Sequence, residues 1–196
     1  MTATIKSREE WLMEFTRLAT PIFESKGYEV PKNIRMSVGF TSKGSRGKSI
    51  GECWSNTCSG DDTFEIFITP EMNEAARIAD ILTHEIIHAV VGLEAGHKKP
   101  FRDCAIAMGL AGKMTATVAG DGWWSWAQDI LDELGPLPHA KLASGATTRE
   151  KKQTARMLKC SCPACGMIMR TSASWIEAIG DLRCVDPSCD TTLNIG

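Results

Sequence analysis

The sequence predicts an α+β protein with two metal-binding units, and three observations carry that expectation. An apolar helical stripe runs through His84-Glu85-Ile86-Ile87-His88, three short strand-like stretches precede it, and five of the eight cysteines crowd into the last 37 residues. At 196 residues the chain has room for one ordinary domain and a small appendage. With 43% apolar and 23% charged residues it should fold through most of its length. No run approaches the roughly 20 uninterrupted apolar residues of a membrane span. The N-terminal MTATIKSREE also lacks the apolar core of a secretory signal, so no membrane association and a cytoplasmic location are expected.

Residues 8–26 place Trp11, Leu12, Phe15, Leu18, Ile22 and Phe23 at helical spacing, with Pro21 as a point where the helix would kink or restart. Strand patterns follow at 34–40, 50–54 and 64–69, which implies a small antiparallel sheet. The basic loop between Lys43 and Lys48 has no P-loop spacing and reads as a solvated hairpin loop. After Pro70, a stripe of Ala75, Ile78, Ala79, Leu82, Ile86 and Val90 marks a helix over about 73–91, stopped by Gly92 and Gly96. Further helices are expected at 101–110 and 123–134, with Trp123, Trp124 and Trp126 packing on the core and Gly135-Pro136 ending the second. Cys53 and Cys58 read as small buried residues. From Ala143 to Arg156 apolar periodicity disappears, and a domain boundary falls there.

The chemistry starts at the His-Glu-x-x-His segment. A four-residue spacing sets the imidazoles of His84 and His88 about 40° apart around a helix and one turn apart along it, so both reach one metal ion. Glu85 lies about 100° round from His84, placed to hold a water without ligating the metal itself. Zinc suits neutral imidazoles, and a catalytic site needs three protein ligands with a fourth position for water. His97, beside Gly96 and past the helix stop, ranks ahead of Glu94, Asp103 and His139 as the third ligand. Tyr28, the only tyrosine, lies far upstream, and His139 reads as a surface or capping residue.

The stretch from Phe64 to Leu142 contains EIFITP, ILTHEIIHAVVG, GHKKPFRDCAIAMGL and GPLPHAKL. It resembles the SprT-like zinc metallopeptidases, particularly the short phage and bacterial members, which are related to the protease domain of Spartan. The resemblance implies a compact zincin-like domain over residues 1–142, with zinc on His84, His88 and His97 and Glu85 as general base. His88 and His97 stand closer together than the corresponding pair in Spartan, and the spacing is not that of metzincins. Phe64–Thr69, just before the metal helix, reads equally as a strand that pairs with an extended substrate and as ordinary sheet.

The second metal site is read from Cys162-Pro-Ala-Cys165 and Cys184-Val-Asp-Pro-Ser-Cys189, separated by 18 residues, close to the paired knuckles of a zinc ribbon over residues 158–196. Four thiolates close a tetrahedron, so this zinc would be structural and would staple a unit too small to fold securely alone. Cys160 competes with Cys162 for the first ligand position; the CPACG knuckle, and the ribbon with which the SprT-like family tends to end, favour Cys162.

Net charge is -2. Residues 141–196 nevertheless carry 8 Lys and Arg against 5 Asp and Glu, with six basic residues against one acidic between Lys141 and Lys159. That basic linker, residues 143–157, and the ribbon are candidates for contact with DNA. Arg170, Thr171 and Trp175 could join it, although Trp175 reads first as ribbon core.

Three functions follow as expectations. The first is a zinc-dependent endopeptidase with a protein substrate, DNA-associated or DNA-crosslinked protein among the candidates. The second is a non-enzymatic DNA-binding adaptor with two structural zinc sites. The third is a zinc hydrolase of a bond other than the peptide bond.

Overall fold

The computed structural model describes residues 5–144 and 157–196. The chain divides into two compact units, Met1–Ala146 and Thr147–Gly196. The predicted linker, 143–157, lies outside the described residues except for Ala143, Ser144 and Met157. The class is α+β, with five α-helices and three small sheets among the described residues.

Helix α1 spans Arg8–Ser25 and starts at a capping box: Glu10 N donates to Ser7 Oγ at 3.1 Å, and Ser7 N donates back to the Glu10 carboxylate at 3.2 Å. It runs through Pro21 without a break, so the restart considered there does not occur. Its buried stripe of Trp11, Leu12, Phe15, Ala19 and Phe23 joins the main core.

Strands β1 (Ile34–Val38), β2 (Gly51–Trp54) and β3 (Phe64–Ile68) form one sheet in the order β1-β3-β2. β3 runs parallel to β1 and antiparallel to β2, so the sheet is mixed where a purely antiparallel one was expected. The reason lies in the connection between β1 and β2, which passes through a 3-10 turn at Gly44–Arg46 and carries the chain past the position that β3 later fills. That connection is therefore not a hairpin loop. β3, being central, has both edges occupied, which removes it as the substrate-pairing strand; the edge strand on its antiparallel side is β2.

Helix α2 (Ala75–Val91) packs beneath this sheet and buries Ile78, Ala79, Ile81, Leu82, Ile86 and Ile87. Apolar residues on all but one stripe make it the central helix of the unit, and the polar stripe carries His84 and His88. After Gly92 come a 3-10 turn at Leu93–Ala95 and helix α3 (Lys99–Ala107). Strands β4 (Leu110–Lys113) and β5 (Ala116–Ala119) form a separate antiparallel hairpin against α2, followed by α4 (Asp121–Leu134) against α1. Trp123 is fully buried and its Nε1 donates to Thr83 Oγ1 at 3.0 Å, Trp126 Nε1 donates to Met108 O at 3.0 Å, and Trp124 is partly exposed.

In the second unit β6 (Leu158–Ser161) is flanked by β7 (Ile168–Thr171) and β8 (Asn194–Ile195), both antiparallel to it. Its small core holds Cys160, Cys162, Leu182 and Leu193. Helix α5 (Ala173–Ile179) has no buried residue and leaves Trp175 62% exposed, so the expectation that this ring fills the ribbon core is corrected: the small core is made by Cys160, Cys162, Leu182 and Leu193 instead. Among the described residues no helix is long and apolar enough to cross a membrane.

Candidate metal centres

His84 and His88 project from one stripe of α2, and His97 returns to them from the following turn. The return depends on Gly96, whose φ of 50° and ψ of -133° lie where a side chain is strained. One ligand nitrogen from each of the three histidines lies within 4.8 Å of the others, with His84 Nε2 and His97 Nε2 3.2 Å apart. The group could hold a metal ion. Asp103, the weaker candidate for third ligand, instead pairs with Lys99.

Phe101, fully buried, forms the floor beneath the imidazoles: its ring centroid is 4.7, 4.5 and 4.9 Å from those of His84, His88 and His97. Burial lowers all three histidine pKa values, His84 to about 3 and His88 to about 4, with like charge on neighbouring rings adding to it for His84 and His88. The rings are therefore neutral and available as ligands over the physiological range.

Glu85 is only 7% exposed. Burial, reinforced by Glu52, pushes its carboxyl up to about 8, opposed by the Cys53 backbone amide. With no cation beside it such a carboxyl keeps its proton at neutral pH, and a cation held close by would favour its ionised form. Its neighbour on the sheet is Gly51, and the absence of a Cβ there makes room for the carboxyl.

These groups face a cleft of about 530 Å³ with β2 on one wall and the β4–β5 hairpin on the other. Thr69 N donates to Ile50 O at 3.0 Å, so that pair is hydrogen-bonded. Antiparallel alternation then points the N–H and C=O groups of Gly51 and Cys53 away from β3, toward the open edge. Lys43 and Lys48, from the β1–β2 connection, stand at the cleft mouth. Cys53 lines the same wall, with burial raising its thiol to about 12, while Cys58 is exposed rather than buried. Tyr28 packs at the edge of the core and the His139 ring meets Lys6 O at 3.0 Å; neither lines the cleft.

The second group comprises Cys162, Cys165, Cys184 and Cys189, whose sulfurs also lie within 4.8 Å of one another and could hold a metal ion. Cys160, although fully buried close by, is not in the group. The thiols of the group titrate together: backbone amides of Cys165 and Ala164 directed at the Cys162 sulfur lower its pKa, while those of Cys165 and Cys184 are raised, so the first negative charge of the group falls on Cys162.

No protein-family model, curated protein or solved structure matches the chain.

Sequence reasoning missed Phe101, Gly51 and Thr117. Thr117 Oγ1 lies 2.8 Å from His84 Nδ1, a contact across 33 residues that no local pattern announces.

Proposed function

We propose that the chain is a zinc-dependent endopeptidase of the SprT-like type, with a zincin-like arrangement of helix, edge strand and third histidine, and that its second unit is a zinc ribbon. The observation that carries this reading is the meeting of three neutral imidazoles and one buried carboxyl, Glu85, which has no salt bridge among the described residues, at the wall of an open cleft.

Both donor sets fit zinc. A tetrahedron with metal–nitrogen bonds of about 2.0–2.1 Å has edges of about 3.4 Å, and the His84 and His97 nitrogens are 3.2 Å apart. With metal–sulfur bonds of about 2.3 Å the edges are about 3.8 Å; the Cys162–Cys189 and Cys165–Cys184 sulfurs are 3.6 and 3.5 Å apart, too distant for disulfides. Three protein ligands at the first set leave a position open, whereas four thiolates at the second leave none.

Zinc in the histidine site would supply Lewis acidity, acidifying water and polarising a carbonyl oxygen. The protein's own residues do the rest. An extended peptide pairs with the open edge of β2 through the backbone groups of Gly51 and Cys53, which brings a carbonyl along the wall beside Glu85. Glu85 takes a proton from the attacking water and passes it to the departing amine. Phe101 keeps the floor apolar and dry, which strengthens each charge interaction above it.

The test is zinc content together with cleavage of casein. The purified full chain should hold two zinc ions and degrade casein; His88→Ala should hold one and degrade none. A wild-type chain with one zinc, or with two and no peptidase activity toward any unfolded protein, would overturn the reading.

A further inference from the structure

Three residues of α2 meet the β4–β5 hairpin from a single face. Arg77, Asp80 and His84 are spaced i, i+3 and i+7, which puts them within about 60° of one another around the helix. In the hairpin, Gly120 N donates to Gly109 O at 3.2 Å, so alternation turns the backbone groups of Thr117 and Ala119 outward from β4. Helix α2 satisfies two of them: Asp80 Oδ2 accepts from Ala119 N at 3.0 Å, and Arg77 Nη1 donates to Thr117 O at 3.3 Å. The two side chains are themselves paired at 2.7 Å, and Asp80 is buried. The ion pair thus takes the place of a neighbouring strand and fixes the register of β5 against the helix.

What this clamp holds in place is the Thr117 hydroxyl. Thr117 is 5% exposed, and the one polar side-chain contact of its hydroxyl among the described residues is His84 Nδ1 at 2.8 Å. An imidazole that uses Nε2 for a metal must carry its proton on Nδ1, and a fixed acceptor there sets both the tautomer and the ring angle. His84 Nε2 is the nitrogen that converges on His97 Nε2.

We propose that Thr117 is a positioning residue for the histidine metal site: its hydroxyl accepts the Nδ1 proton of His84, leaving Nε2 bare and directed at the ion, while Arg77 and Asp80 hold the hairpin that delivers it. This rests on the reading of His84, His88 and His97 as metal ligands. The acceptor comes from a hairpin remote in sequence, so the metal centre is complete only when α2 and β5 are docked.

The experiment uses the full chain as wild type, Thr117→Val and Thr117→Ser. Valine keeps the shape and strand propensity of threonine and removes the hydroxyl; serine keeps the hydroxyl. Zinc affinity at the histidine site is read by competition with a chromogenic chelator, the four-cysteine site serving as internal reference. The valine variant should bind zinc at the histidine site about 10–100-fold more weakly with the cysteine site unchanged, and the serine variant should recover most of that loss. Imidazole nitrogen NMR of zinc-stripped wild type should show His84 protonated at Nδ1. Equal zinc affinity of the valine variant and wild type, or a wild-type His84 protonated at Nε2, overturns the proposal while leaving the metal site standing. A wild-type chain that takes up no zinc at its histidines overturns both.

Discussion

Gly51 and Glu85 are fitted to each other: a Cβ on residue 51 would lie 2.6 Å from Glu85 Oε1 and 2.7 Å from Ile81 Cγ2. Both distances are inside van der Waals contact, so β2 and the carboxyl can lie this close only because residue 51 has no side chain. The pairing joins the strand that would hold a peptide to the group that would move its proton.

Gly51→Ala should therefore impair peptidase activity at least tenfold while leaving both zinc sites filled, because the methyl group displaces Glu85 and β2 but touches no histidine. Crowding of this kind costs about 1–3 kcal/mol of stability. Casein cleavage and zinc content of the same preparation check it; an active Gly51→Ala enzyme would mean that the carboxyl does not work from this position.

Removing the clamp on the hairpin should be expensive. Asp80→Ala leaves Ala119 N–H without its acceptor and Arg77 without its carboxylate partner, in a region where Asp80 is 4% exposed. Because Arg77 is partly solvated, the cost is about 2 kcal/mol rather than the larger value of a fully buried pair. Urea unfolding followed by tryptophan fluorescence measures it, and a midpoint equal to that of wild type would contradict the role given to the ion pair.

The zinc-stripped protein should show opposed pH effects. His84 and His88 have folded pKa values of about 3 and about 4, depressed from 6.5, so the unfolded chain binds more protons below about 6.5. Their contribution to stability is present above that pH and is lost as pH falls toward 4. Glu85 behaves in the reverse sense: its folded value of about 8 exceeds the ordinary 4.5, so its contribution is full below about 4.5 and is lost as pH rises through 8. Glu85→Gln removes only the second effect. Zinc-stripped Glu85→Gln should thus be more stable than zinc-stripped wild type at pH 9, on the order of 1–3 kcal/mol, with the difference shrinking toward pH 4.5. Parallel denaturation curves at the two pH values decide it.

In the second unit Cys162→Ser should release one zinc and Cys160→Ala should release none, since the Cys160 side chain is core packing beside Leu182 and Leu193. Metal analysis of the two variants separates the ligand registers that the sequence left open.

Helices α1 to α4 and both groups of candidate metal donors were legible in the sequence because they depend on local periodicity and spacing. A spacing of four put His84 and His88 together, a glycine marked the return of His97, and paired knuckles marked the cysteines. What was not legible depends on contacts between distant segments. The period-two pattern of β3 says that it is a strand but not that it lies between β1 and β2, so the sequence left open both substrate pairing and an ordinary place in the sheet, and the order settles on the second. The β4–β5 hairpin is too short and too rich in glycine and alanine to show alternation, which hid Thr117. Phe101 looked like an ordinary helical apolar residue, and its place under three imidazoles emerges only from the packing of α3 against α2. The basic character of the C-terminal quarter is likewise unevenly placed: described residues 157–196 carry three Lys and Arg against four Asp and Glu, so the positive excess resides in the linker.

The central claim is that Glu85 moves the proton beside a metal held by His84, His88 and His97. It is tested most directly by Glu85→Gln, assayed for zinc and for casein cleavage in one preparation. The account predicts two zinc ions per chain, as in wild type, and no cleavage. Cleavage at the wild-type rate by a variant that keeps both ions would contradict it.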